Sequence, residues 1–288
     1  MSIELQNVTY VYMPKTPFER VALDNVSLTI PAGSFTAIAG HTGSGKSTLV
    51  QHLNGLLNPT VGQVLVEGIN IGDRSKTGRQ RALMARQQVG MVFQYAENQL
   101  FEESIAADIA FGPLNQELPA DEVAGRVREV MEIVGLDYET YHDRSPFSLS
   151  GGQMRRVAIA GVLAMKPSYL VLDEPAAGLD PQGRAELLQQ IKKLHEQQKM
   201  TIVMVSHSME DIAQLADNVI IMQQGKVAAQ GTPQEVFAQR DVLEQAGLRP
   251  PQITMVMEQL AAAGLPVKNN VLTPEEGLQS LLEVFHAK

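Results

Sequence analysis

The chain has 288 residues, 44% of them hydrophobic and 19% charged, an ordinary globular composition with material for one large α/β domain and a small addition. Its 23 Lys+Arg against 32 Asp+Glu leave a net charge of −9; affinity for a nucleic-acid backbone comes from cations that neutralise phosphates, so no nucleic acid is expected as a partner. The absence of cysteine excludes disulfides and thiolate metal sites, and apolar runs such as "IVMV" at 202–205 fall far short of the ~20 residues that span a bilayer.

The opening "MSIELQNVTYVYMPK" alternates apolar and polar residues and lacks the unbroken apolar core of a signal peptide. Period-2 segments continue with "NVSLTI" (25–30), where Val26, Leu28 and Ile30 share a face, and "GQVLVEG" (62–68). Turns such as "PAG" at 31–33 separate them, so an antiparallel β subdomain is expected. The pattern then changes to solid apolar runs spaced by helical stretches: "FTAIAG" (35–40), "VGMVF" (89–93), "SYLVLDE" (168–174), "TIVMVS" (201–206) and "NVIIM" (218–222). Strands buried on both faces and joined by helices predict a mostly parallel sheet of an α/β fold. Between about 97 and 165 helical patterns such as "DEVAGRVREVMEIVGL" (121–136) form an insert with "LSGGQ" (149–153) at its end. A further helical stretch, broken by "RPP" at 249–251 and "GLP" at 264–266, reads as a small C-terminal region.

The nine residues "GHTGSGKST" (Gly40, His41, Thr42, Gly43, Ser44, Gly45, Lys46, Ser47, Thr48) fit G-x-x-x-x-G-K-[ST] between a strand and a helix. In that context Gly40, Gly43 and Gly45 let backbone N–H groups surround phosphates at the helix N-terminus. Lys46 reaches the β- and γ-phosphates, and Ser47 ligates Mg²⁺. The companion signal is "YLVLDEP" (169–175): a buried strand ends in Asp173, which brings a carboxylate to the metal, and Glu174 follows as the base for an attacking water. His207 lies past the run 201–206, and Gln94 ends "VGMVFQ". Both stand at the carboxyl ends of parallel strands, where such sheets bind ligands. Gln94 is placed for Mg²⁺ or the lytic water.

These elements, in this order and spacing, resemble the ATP-binding cassette ATPases over about residues 1–235, and "LSGGQ" is the most specific of them. The resemblance implies ATP and Mg²⁺ as ligands, Tyr12 stacking on adenine with Tyr10 as the competing stacker, and catalytic roles for Glu174, His207 and Gln94. It further implies a head-to-tail pair of such domains. There Ser150, Gly151, Gly152 and Gln153 of one chain cover the γ-phosphate held by the other, and Asp180 of "GLD" couples the two sites.

A narrower likeness joins "QYAENQLFEESIAADIAFGPLN" (94–115), "FSLSGGQMRRVAIAGVLAMKP" (147–167) and "DEPAAGLDP" (173–181) to the ATPase subunits of energy-coupling factor (ECF) transporters, importers of vitamins and of cobalt or nickel ions, and "TPFERVALDNVSL" (16–28) resembles the second of their two ATPase paralogues. The chain departs from the common pattern at Ala96, where many members have Pro, and at Ala176, where many have Thr; neither is a catalytic position. The likeness implies a peripheral protein at the cytoplasmic face of the cell membrane and a C-terminal dimerisation region over 236–288. Its implied partners are a second ATPase subunit (a paralogue or a second copy), a transmembrane coupling subunit contacting about 94–111, and a substrate-binding membrane subunit. In that stretch Glu97, Glu102, Glu103 and Asp108 surround Leu100, Phe101, Ile105 and Ile109, an expected groove for an Arg-bearing coupling helix of the membrane subunit. The alternatives are the ATPase of another cassette importer class, or a soluble cassette ATPase of DNA repair or translation.

Overall fold

A computed structural model describes residues 1–286; the last two residues of the expected 236–288 region lie outside it. In chain order the strands are β1 (Ser2–Tyr12), β2 (Arg20–Pro31), β3 (Phe35–Ala39), β4 (Val61–Val66), β5 (Ile69–Asn70), β6 (Val89–Val92), β7 (Tyr169–Asp173), β8 (Thr201–Val205), β9 (Asn218–Gln223) and β10 (Lys226–Gly231). One antiparallel sheet has the order β2-β1-β4-β5, and a second runs β10-β9-β3-β8-β7-β6. In the second sheet β3, β6, β7, β8 and β9 are parallel, and only β10 runs against its neighbour.

The solid apolar runs have the physical origin that the sequence suggests. Tyr169 and Val171 of β7 face a core shared with the antiparallel sheet, while Leu170 and Leu172 face a second core formed with helices. Successive side chains point to opposite faces, so a strand covered on both sides reads as continuously apolar. The helices α1 (Lys46–Leu53) and α2 (Arg79–Gln87) flank the antiparallel side. The insert contains α3 (Ile105–Asn115), α4 (Ala120–Ile133), the short α5 (Tyr138–Tyr141) and α6 (Gly151–Leu163). Its core places Ile105, Ile109, Val127 and Met131 against Ile159 and Ala160. α7 (Pro181–Gln198) and α8 (Met209–Leu215) complete the crossovers between strands.

Two strand features escaped the sequence pattern. β2 starts at Arg20 rather than near Asn25, because its pairing with β1 shifts register between Leu5 and Val11 and a bulge destroys strict alternation. β10, "KVAAQG", is a short edge strand with little apolar content. It follows a two-residue turn in which Gln224 and Gly225 have φ of 49° and 78°, the left-handed pair that a tight hairpin requires.

The C-terminal helices are α9 (Pro233–Phe237), α10 (Arg240–Gln245), α11 (Gln252–Ala262) and α12 (Pro274–His286). The expected boundary at 235 falls inside α9, and the core does not break there. Val236, Phe237 and Leu243 pack with Ala37, Val219 and Ile221 of the parallel sheet.

Candidate nucleotide site

The loop between β3 and α1 is shaped by two glycines that nothing else could replace. Gly40 has φ of 152°, and a Cβ there would meet Met222 O at 2.3 Å. Gly45, the residue before α1, has φ of 107°, and its Cβ would meet Ala22 O at 2.7 Å. A side chain is excluded by space and by backbone conformation together. The Lys46 Nζ donates to the carbonyls of Gly40 (2.8 Å) and His41 (3.1 Å), fastening the loop across itself. Burial pulls the Lys46 ammonium below the usual lysine range, and the carboxylates of Glu174 and Asp173 act in the opposite direction. From behind, the β9–β10 turn supports the loop through Gly225 N–H, which donates to Ser44 O at 2.9 Å.

The loop forms one wall of a cleft of about 320 Å³, the size of a small-molecule site. Thr42, Gly43, Gly45, Lys46, Ser47 and Thr48 line it, and Gln94, Glu174 and His207 face them. Gly40, His41 and Ser44 shape the loop without lining the cleft. Three sequence-separated residues therefore meet where the strands end. Gln94 Nε2 donates to Glu174 Oε2 at 3.0 Å, and His207 Nε2 lies 2.6 Å from Glu174 Oε1. Glu174 itself has φ of 50°, a strained conformation for a residue with a Cβ, and such strain concentrates at functional sites. Asp173 is buried, and its Oδ1 has no hydrogen-bond partner. Burial pushes its carboxyl above the ordinary aspartate value, with the Ser47 hydroxyl pulling the other way. An orphaned carboxylate oxygen beside a hydroxyl and a lysine fits a hard divalent cation with oxygen ligands.

Tyr12 and Tyr10 are separated by their surroundings. The Tyr12 ring lines the cleft, with its hydroxyl 3.3 Å from Thr48 Oγ1. Tyr10 packs edge-on against His52 at 4.8 Å and joins the core beneath the antiparallel sheet. Arg20 was not singled out by sequence reasoning, yet it lines the same cleft and donates to Gly43 O at 3.4 Å. Its only signal was its place at the start of β2, which the bulge concealed.

The residues 150–153 are not brought to this cleft. Ser150 caps α6 in a reciprocal pair with Gln153: its hydroxyl accepts from Gln153 N–H, and Gln153 Oε1 accepts from Ser150 N–H. Gly151 has open space around it, and a Cβ at Gly152 would meet Leu179 and Gly183 at 3.8 and 3.9 Å. Asp180 caps α7 by accepting from the N–H groups of Gln182 and Gly183, both at 3.0 Å. The 150–153 and 178–180 loops are thus neighbours, apart from the chain's own cleft.

The 94–111 stretch is only partly a surface. Ile105 and Ile109 are fully buried in the insert's core, so they do not line a groove as the sequence suggested. Glu97 is engaged by Arg155, and Asp108 accepts from the N–H groups of Phe101 and Glu102. What remains is a cavity of about 520 Å³ between Leu100, Phe101 and Phe111 on one side and Arg86, Val162 and Met165 on the other. Phe101 and Phe111 are exposed and meet edge-to-face at 4.9 Å.

Residues 23–177 match the family model described as ABC transporter. Across 99% of both chains the sequence is 52% identical to the energy-coupling factor transporter ATP-binding protein EcfA2 of Clostridium perfringens. It is also 52% identical to that of Clostridium tetani, over 100% of this chain and 99% of the relative. Among solved structures, cbiO1 from Clostridium perfringens, described as part of the ABC transporter complex cbiONQ, matches with a TM-score of 0.74 at 39% identity. That match covers 89% of this chain and 98% of the other. The ATP-binding cassette MJ0796, described as dimeric in a post-hydrolysis state bound to ADP and Pi, matches with a TM-score of 0.70 at 30% identity, covering 80% and 98%. The fold, the cleft and these full-length likenesses agree: the chain belongs to the ABC transporter family of ATPases and, within it, to the energy-coupling factor transporter ATP-binding proteins.

Proposed function

We propose that this chain binds and hydrolyses Mg-ATP as the motor subunit of an ECF-type importer. In this reading it drives uptake of a vitamin or transition-metal ion through separate membrane subunits. The observation that carries the reading is Glu174, held between Gln94 and His207 across a cleft from Lys46. Glu174 takes the proton of the attacking water, a general-base role. His207 and Gln94 fix the two oxygens of that carboxylate, so one lone pair stays aimed into the cleft. The 40–48 loop and Lys46 hold the phosphates, Tyr12 stacks on the base, and Arg20 closes the cleft on the β2 side. Mg²⁺, held by Ser47, Asp173 and Gln94, supplies neutralisation of phosphate charge.

The separation of 150–153 from the chain's own cleft supports a site shared between two chains, with Ser150, Gly151 and Gly152 completing the partner's nucleotide site and Asp180 lying at the junction. The second chain is a paralogous ATPase or a second copy. α12 supports a pairing role for the C-terminal region, since Leu278, Leu282 and Phe285 are exposed on it at helical spacing. The cavity bounded by Phe101 and Phe111 suits a helix of the transmembrane subunit, with Glu102 and Glu103, which follow Phe101 in the chain, available to cationic side chains. Among the described residues no helix is long and apolar enough to cross a membrane. The proposed place of the protein is therefore peripheral, at the cytoplasmic face, held by its partners.

Reconstitution of the chain with a candidate second ATPase, transmembrane subunit and substrate-binding subunit in proteoliposomes tests this reading. ATP-driven uptake that disappears with Glu174→Gln is expected. A chain that hydrolyses ATP but associates with no integral membrane protein would refute the importer role.

A further inference from the structure

The acidic chain carries one strongly basic surface. From Ile71 to Gln88 the sequence has Arg74, Lys76, Arg79, Arg81 and Arg86 against a single acid, Asp73. Asp73 sits among these cations, accepting from Ser75 N–H at 2.8 Å and bordering the same cavity as Arg74, Lys76 and Arg79, and the patch keeps a clear positive excess. Arg86 is held by Ile71 O at 2.8 Å and Asn58 Oδ1 at 3.4 Å. The other four cations are exposed, and among the described residues none of them belongs to an ion pair, whereas Arg126, Arg155, Arg184 and Arg240 do. α2 buries Ala82 and Ala85 and leaves Leu83 and Met84 more than half exposed, 56% and 60%. Arg79 and Leu83 stand one helical turn apart on the outer side. Basic side chains interleaved with exposed apolar ones on a short helix are the pattern of a surface that lies in a headgroup layer.

Position supplies the second argument. A cavity of about 640 Å³ bordered by Arg74, Lys76, Arg79 and Leu83 is also bordered by Arg86. The same Arg86 forms a wall of the groove at Phe101 and Phe111. The basic surface therefore borders the groove where a membrane subunit is proposed to dock. With a net charge of −9 the rest of the chain is repelled by anionic lipid, which makes the local reversal of sign informative about orientation.

We propose that residues 74–84 form a contact with the anionic lipid headgroups flanking the membrane subunit, Arg74, Lys76, Arg79 and Arg81 taking phosphates while Leu83 and Met84 enter the headgroup layer. The proposal rests on the reading that the Phe101–Phe111 groove seats a membrane subunit. Each cation near an anionic surface is worth about five-fold in binding, so four together amount to several hundred-fold at low salt.

Two measurements test it. In flotation, the full chain is expected to bind phosphatidylglycerol-containing vesicles and not phosphatidylcholine vesicles, and high salt should release it. The variant R74Q/K76Q/R79Q/R81Q should lose at least about a hundred-fold of that binding, while R74K/R79K/R81K, which keeps the charge, should retain it. In nanodiscs, ATPase activity of the assembled transporter should be several-fold higher with anionic than with neutral lipid. The glutamine variant should equal wild type in neutral lipid and fail to respond to anionic lipid. Equal flotation of wild type and the glutamine variant would overturn the proposal. So would loss of assembly with the membrane subunit in lipid-free detergent, which would make the patch a protein contact. Failure of wild type to assemble with a membrane subunit while it still floats on anionic vesicles would refute the groove reading alone.

Discussion

The guanidinium of Arg155 lies 3.1 Å from the carboxylate of Glu97 and donates from its other arm to the carbonyls of Pro175 and Ala177 at 2.8 and 2.7 Å. One buried side chain, 3% exposed, thus ties three segments together: the turn after Gln94, the helix headed by Ser150, and the loop running from Glu174 to Asp180. Arg is the residue suited to this, because its planar fork reaches several acceptors at once.

Removing the fork leaves a partly exposed carboxylate and two carbonyls without their donor. Arg155→Ala is expected to destabilise the chain by about 2–4 kcal/mol, the loss of several hydrogen bonds from a charged donor. Arg155→Lys should recover only part of that, since an ammonium cannot serve Glu97 and both carbonyls. Glu97→Gln should cost less than either, because the two carbonyl contacts survive. Denaturant unfolding of the three variants checks the order; a lysine variant as stable as wild type would sink the argument.

Glu174→Gln should keep Mg-ATP binding and lose about 10²–10⁴-fold in turnover, the usual range for a general base. His207→Ala should lose turnover as well, by a smaller factor, because Glu174 remains held by Gln94. Single-turnover hydrolysis with equilibrium nucleotide binding separates the two steps. Turnover at the wild-type rate in Glu174→Gln removes the base assignment.

Asp173 gives a pH signature. Burial raises its carboxyl pKa in the fold, so the stabilising proton is present at low pH and is lost as pH rises through the elevated folded-state value. Nucleotide-free protein should therefore lose stability from this group as pH rises from about 4 through the elevated folded-state value. Asp173→Asn stays neutral throughout. Its melting temperature without Mg²⁺ should draw level with wild type at the acid end and exceed it by a few degrees near neutrality, at about 2–4 °C per kcal/mol for a domain of this class. Mg-ATP should then raise the wild-type value more than the variant's, since only the wild type keeps the carboxylate for the metal. A difference that does not vary with pH would show that the carboxylate is not the source.

Tyr12→Ala should raise the KM for ATP several-fold with kcat little changed, as expected when stacking is lost equally from ground and transition states. Tyr10→Ala should lower the melting temperature by a few degrees and raise KM less than Tyr12→Ala does, because its ring packs on His52 outside the cleft and reaches the site only through its edge-on contact with Tyr12 at 4.8 Å. Steady-state kinetics and calorimetry on the pair distinguish them. A KM effect at Tyr10 without one at Tyr12 would reverse the assignment.

For the shared site, Lys46→Ala in this chain and a Gly→Asp change in the partner's signature loop should strike the same nucleotide. The combined loss in ATPase of the two-ATPase complex should then scarcely exceed the worse single loss, since groups that act as a unit are not additive. Fully additive losses would assign each loop to its own chain.

The sequence by itself determined the local chemistry. Lys46 and its glycines, the Asp173–Glu174 pair and the solid runs of the parallel strands were legible because each depends on near neighbours. A loop needs glycine where φ is positive, a phosphate site needs a helix N-terminus, and a strand covered on both faces must be apolar at every position. Contacts between distant segments were beyond its reach. Arg20 enters the cleft only because a bulge resets the pairing of β2, and Tyr10 is separated from Tyr12 only by the presence of His52 beneath it. Ile105 and Ile109 looked like surface beside acidic residues until packing against α6 enclosed them. The Arg155 fork and the neutral-seeking Asp173 arise the same way, since burial and charge pairing are set by what the folded chain brings near. Periodicity and motif spacing act along the chain, whereas desolvation and hydrogen bonding act through space, and only the tertiary structure supplies the second.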